Sequence, residues 1–211
     1  MFKQMKAICL AALGVANCQN IPEMGPANRM CRVLSLSGGG SKGAYEVGVI
    51  NSVIHTLEAP HNHYDVVSGV SVGGINTAGF TLFGEGEDYA LADFLMNLWK
   101  NLHNDNVWRF WPEERWWNPA EPLYGEGGYL DDSPLFEFLM GVVEKMGNNS
   151  KRRTFVSAVD VESGTYQPFS LYDEPGKPIS SMEYKVSAIV GSASMPVVFP
   201  PRNMSQFGYP M

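Results

Sequence analysis

The sequence predicts an α/β fold with a mainly parallel central sheet, and two stretches carry the prediction. Arg32-Val33-Leu34-Ser35-Leu36-Ser37 alternates as a strand, ends in Gly38-Gly39-Gly40-Ser41-Lys42-Gly43, and passes into apolar residues at helical spacing. Tyr64-Asp65-Val66-Val67-Ser68 reads as a second buried strand, ends in Gly69-Val70-Ser71-Val72-Gly73, and again continues in a helical pattern. Successive strand–helix units of this kind build parallel sheets, because a parallel connection needs a crossover.

The elements follow in order. Ala44, Val47, Ile50, Ile54 and Leu57 mark the helix after the glycine run. Residues 77–83 extend the helix after Ser71, and 89–102 form another, with Leu91, Leu95 and Leu98 on one side. Phe136, Leu139, Met140 and Val143 mark a fourth helix, capped by Asp132 or Ser133 with Pro134 at its first position. Strands are expected over 155–159 and 165–170, joined by Glu162-Ser163-Gly164, and a helix over 182–192.

At 211 residues with 45% hydrophobic and 18% charged, the chain suits one domain with a single core. A net charge of −7 with scattered basic residues argues against a phosphate-neutralising face, so no nucleic-acid partner is expected. In residues 1–18, Lys3 and Lys6 precede an apolar run over 7–16 and the small-residue pattern Gly14-Val15-Ala16 or Ala16-Asn17-Cys18. That is the form of a secretory signal peptide, and the run is too short to span a bilayer. A secreted or endomembrane-lumenal protein is the expectation, with a cytoplasmic one and a plain N-terminal extension left open. If cleavage falls after Ala16, Cys18 and Cys31 remain and could pair in an oxidising compartment, and Asn148 and Asn203 head triplets that accept glycans only in a chain secreted by a eukaryote.

The G-x-S-x-G spacing at Gly69, Ser71 and Gly73 reads as a nucleophile elbow: glycines on either side remove the Cβ atoms that a strained strand-to-helix turn cannot hold. A Gly/Ser-rich turn is the alternative. The glycine run offers amide donors at a helix N-terminus, where negative charge is stabilised. Gly38, Gly40 and Gly43 also fit G-x-G-x-x-G, a dinucleotide fingerprint, with Glu58 or Asp65 as the distant acid, although neither ends a second strand as that motif requires. The spacing of Lys42 excludes a Walker phosphate loop. Donors on one corner and a hydroxyl on the next suit acyl transfer better.

These residues together resemble the patatin-like phospholipase family, whose glycine-rich oxyanion loop is followed about thirty residues later by G-x-S-x-G. Gly128 to Leu135, Ser157-Ala158-Val159-Asp160 with Ser163-Gly164, and Ala193-Ser194-Met195-Pro196-Val197-Val198-Phe199-Pro200-Pro201 are similar to further landmarks of that family, so the likeness runs from Arg32 to Pro201. The resemblance implies a three-layer α/β/α fold with its C-terminal part missing, over 32–211, and lipid acyl-ester hydrolysis without metal or cofactor. It implies Ser71 as nucleophile, an oxyanion hole at Gly38, Gly39 and Gly40, and Lys42 as an anion contact. Its substrate is a lipid or membrane surface; protein partners are unspecified.

The family's activating group is an aspartate in a D-G-[GA] motif soon after F-P-P, and no Asp-Gly pair occurs in these 211 residues. A weak or inactive chain is therefore expected, with a catalytically dead lipid-binding fragment as the alternative. Asp160 reads as a turn residue and Asp131 and Asp132 as structural. Histidines 55, 61 and 63 precede Ser71 and His103 follows too soon for a Ser-Asp-His order; His61 and His63 read as solvent-exposed. Four of five tryptophans fall in 107–117, a cluster that suits either a packed cap or a bilayer interface.

Overall fold

The computed structural model describes residues 31–59, 61–112, 127–176 and 180–209. The expected signal peptide, Cys18, Trp116 and Trp117 lie outside them.

Strands β1 (Val33–Leu36), β2 (Val66–Val70), β5 (Arg153–Val159) and β6 (Tyr166–Ser170) form one sheet in the order β1-β2-β5-β6. The β1–β2 and β2–β5 pairings are parallel, and β6 returns antiparallel to β5 through the Glu162-Ser163-Gly164 turn. A short ribbon, β3 (Arg109–Phe110) with β4 (Leu130–Asp131), stands apart from it. Among the described residues five helices flank the sheet: α1 (Gly43–Thr56), α2 (Val72–Leu82), α3 (Asp88–Asn101), α4 (Ser133–Met146) and α5 (Met182–Ala193). The expected α/β fold with a mainly parallel sheet is the one observed.

Register explains where the core sits. Leu36 lies beside Gly69, Gly69 beside Val156, and Val156 beside Phe169, so one face of all four strands carries the buried residues. Because the parallel part of the sheet grows in one direction, right-handed crossovers lay their helices over that same face. One core joins Leu36 and Val67 to Val47, Ile54, Phe80 and Leu91; a second joins Val156 and Phe169 to Leu139, Val186 and Val190. Along the other face Ser68, Val70, Phe155 and Ser157 are half-buried among the described residues.

Helix α2 lies directly on the strands. Thr81 and Thr154 share a hydroxyl hydrogen bond of 2.7 Å, and a Cβ on Gly74 would stand 3.2 Å from Val156. At its N-terminus α4 differs by one position from expectation. Asp132 stands at the N-cap, its carbonyl accepting the Leu135 amide at 3.1 Å but its side chain making no capping bond; Asp131 takes the Ser133 amide at 2.9 Å, and Pro134 is second in the helix rather than first. His63 is a clearer correction: it is buried, packed against the Asp88 carboxylate at 3.2 Å, and Arg152 reaches the same carboxylate at 2.8 Å. The polar loop composition hid a buried ion pair that closes the end of the sheet remote from Ser71.

Candidate active site

β2 ends in Val70, and Ser71 makes the corner into α2 with φ 55° and ψ −127°. A non-glycine residue at positive φ costs about 1–3 kcal/mol and persists only where its surroundings over-determine it. Close packing and two hydrogen bonds do so here. A Cβ on Gly69 would collide with the Gly73 carbonyl, and one on Gly73 would come within 2.5 Å of the Leu36 carbonyl oxygen. The Ser71 carbonyl accepts from the Gly74 amide at 2.8 Å, and the Ser71 amide donates to Ser192 Oγ at 2.8 Å. Ser71 therefore sits on a closely constrained strand-to-helix corner.

The glycine run comes to the same place. A Cβ on Gly38 would stand 3.2 Å from the Ser71 Cβ and 3.8 Å from its Oγ, so the backbone after β1 passes directly beside the hydroxyl. Gly40 takes φ 57° and opens the 3₁₀ turn Gly40–Lys42 that leads into α1. Gly43 must lack a side chain, because a Cβ there would strike Val72 and Trp99. Glu46 Oε1 accepts the Ser37 amide at 3.0 Å, while Oε2 accepts from Asn76 Nδ2 at 2.9 Å. Asn76, fully buried one turn beyond Ser71, also donates to the Gly43 carbonyl at 3.2 Å and accepts from Trp99 Nε1 at 2.8 Å. This network fastens the glycine corner to the serine helix.

The Gly38 and Gly39 amides donate to no acceptor among the described residues. Free backbone donors beside a hydroxyl at a helix N-terminus can hold an oxygen on which negative charge develops. Gly38 is the member that abuts Ser71; a side chain at Gly39 would instead meet Lys42, and one at Gly40 would meet open space. Lys42 is exposed at the rim.

Other candidate groups lie elsewhere. Among the described residues no side chain hydrogen-bonds to the Ser71 hydroxyl. His55 bonds the Asn51 carbonyl on α1 and packs edge-on against Tyr89. His103 belongs to the short turn Asn104–Asn106. Asp160 takes the Ser163 amide at 2.7 Å, and backbone and side-chain hydrogen bonds from Ser163 hold its carboxyl below the usual range, as expected of a turn residue. Asp132, buried, accepts from Ser194 Oγ at 2.8 Å and Arg202 Nη2 at 2.6 Å; burial pushes its carboxyl upward despite Arg202 and Ser194. Glu46, Asn76 and Ser192 were not legible as site residues, since nothing in their spacing marks them.

One further strained residue stands near α5. Val197 has φ 74°, held by the Tyr129 amide on its carbonyl at 3.0 Å and by the Gly128 bridge. Gly128 has no room for a Cβ against Phe199 and Pro200, so the mid-chain glycine pair and the F-P-P run fit one another.

Comparison with known proteins finds a match to the family described as patatin-like phospholipase over residues 34–207. The cGAMP-activated phospholipase of Vibrio cholerae serotype O1 is 23% identical over 194 residues, which cover 86% of this chain and 53% of the relative. The cUMP-AMP-activated phospholipase of Escherichia coli is 42% identical over 52 residues, 24% of this chain and 16% of the relative. The chain thus spans about half the length of the Vibrio relative. Among solved structures, VipD from Legionella pneumophila aligns with a TM-score of 0.42 at 15% identity over 84% of this chain and 45% of VipD. The ExoU–SpcU complex from Pseudomonas aeruginosa aligns with a TM-score of 0.35 at 18% identity, covering 80% of this chain and 37% of that one.

Proposed function

Since the chain belongs to the patatin-like phospholipase family, we propose that it is built to release fatty acid from lipid esters, with Ser71 as the nucleophile. The observation that carries this reading is the contact between Gly38 and Ser71, which sets unpaired amides beside a hydroxyl on a strained corner. In the proposed reaction Ser71 Oγ attacks the ester carbonyl and passes its proton to a base, while the Gly38–Gly40 amides take the oxyanion. Collapse expels the alcohol and leaves an acyl-serine. Water then attacks that ester and frees the fatty acid. Lys42 at the rim is suited to a phosphate head group.

The test is fatty-acid release from mixed phosphatidylcholine and phosphatidylglycerol vesicles, with and without cGAMP. Ser71→Ala is expected to lower turnover at least ~10³-fold, the scale on which losing a nucleophile acts. Equal turnover by wild type and Ser71→Ala would refute the assignment.

A second reading, lipid binding without turnover, is favoured by one observation: no described carboxylate or imidazole reaches the Ser71 hydroxyl. It predicts vesicle co-sedimentation with no fatty-acid release and no labelling of Ser71 by a fluorophosphonate. Labelling of Ser71 would exclude it.

A further inference from the structure

We propose that Ser192 is a positioning residue for Ser71, holding the nucleophile's backbone in its strained conformation. The inference rests on Ser71 being the nucleophile, and it names a residue that no motif singles out.

The Ser192 hydroxyl is committed twice. It donates to the Ser157 carbonyl at the end of β5 at 2.6 Å, which turns its lone pairs toward the corner, and there it accepts the Ser71 amide at 2.8 Å. Ser71 sits at φ 55°, where a relaxed corner would not stay. An acceptor fixed between two elements is the kind of constraint that such a residue needs. α2 runs close to both neighbours here: a Cβ on Gly74 would touch Ser192 Oγ at 3.5 Å and press on Val156 at 3.2 Å.

The end of α5 is itself immobilised. Two residues on, Ser194 Oγ contacts both the Val190 carbonyl and Asp132 at 2.8 Å, and Arg202 holds Asp132 from the other side. Ser192 is therefore a fixed post rather than a swinging side chain. Its bond also occupies the Ser71 amide, which is therefore not available as an oxyanion donor. Loss of the Ser192 hydroxyl frees the corner to relax toward ordinary backbone geometry, and Oγ then moves relative to Gly38.

The decisive measurement is native-state amide exchange in wild type, Ser192→Ala and Ser192→Thr. The Ser71 amide is expected to be protected in wild type, to exchange about 100-fold faster in Ser192→Ala, and to regain protection in Ser192→Thr. Core amides of Val67 and Val156 should keep their rates in all three. Unchanged Ser71 protection in Ser192→Ala overturns the proposal, and so does a uniform loss at Val67 and Val156, which would mark a general packing role. On a soluble short-chain ester, kcat of Ser192→Ala should fall about 10–100-fold with KM within about twofold, as expected of a misplaced nucleophile. A full-rate Ser71→Ala would defeat the hydrolase reading, while amide exchange would still decide the part played by Ser192.

Discussion

Asn76 Nδ2 donates to Glu46 Oε2 at 2.9 Å, and this bond joins the helix that follows the serine to the helix that follows the glycine run. The two corners are far apart in the chain and meet because a fully buried amide satisfies groups from both, with Trp99 completing it from α3. Truncating Asn76 to Ala leaves the Trp99 indole N–H, the Gly43 carbonyl and Glu46 without that partner. A buried polar group left unsatisfied costs about 1–3 kcal/mol, so Asn76→Ala should lose about 2–4 kcal/mol in urea unfolding. A loss under about 0.5 kcal/mol would show that the network is slack.

The backbone of Ser71 should show its strain directly. Ser71→Gly removes the Cβ that makes φ 55° unfavourable, at some cost in chain entropy. The expected outcome is a gain of about 1 kcal/mol in unfolding free energy together with complete loss of esterase turnover. A destabilised Ser71→Gly would mean that the corner is relaxed.

Two glycines of similar local sequence should respond in opposite directions. Gly73→Ala drives a methyl to within 2.5 Å of the Leu36 carbonyl and should prevent close packing of α2 on β1, costing about 3 kcal/mol or more. Gly48→Ala, on the exposed side of α1 with nothing within 4 Å, should stabilise by up to about 1 kcal/mol through helix propensity. Thermal melts of both variants settle the pair.

Acid should weaken the fold through Asp173. Burial pushes its carboxyl up, but the Lys185 ammonium, the Ser180 amide and the Ser150 hydroxyl together hold it below the ordinary value. A carboxyl depressed in the folded state contributes stability above its unfolded value, and that contribution vanishes as pH falls through the folded value. Asp131 acts in the same sense, whereas Asp132, raised by burial, acts in the opposite one. The urea midpoint should therefore fall most steeply below about pH 4. Asp173→Asn should be less stable than wild type at pH 7 and should fall less steeply in acid. Parallel pH curves for the two proteins would contradict this origin.

The strand–glycine–helix repeats were readable because each is a local device: alternation makes the strand, and a residue without Cβ makes the corner. Gly69 and Gly73 stand out in the sequence for that reason, and backbone atoms leave neither of them room for a Cβ. Residues that act across the fold were opaque. Ser192 is an ordinary helix serine until β5 and the Ser71 corner flank it. His63 reads as solvated among Pro60, His61 and Asn62, and only the arrival of Asp88 and Arg152 from other elements buries it.

The hydroxyl that captures the Ser71 amide comes from 121 residues further along the chain. β2 likewise gains its second neighbour only when Arg153–Val159 has been made. The serine corner therefore lacks two of its partners until β5 and α5 are in place. A nascent polypeptide that has not yet reached α5 carries the G-V-S-V-G letters without the acceptor that Ser192 gives the Ser71 amide.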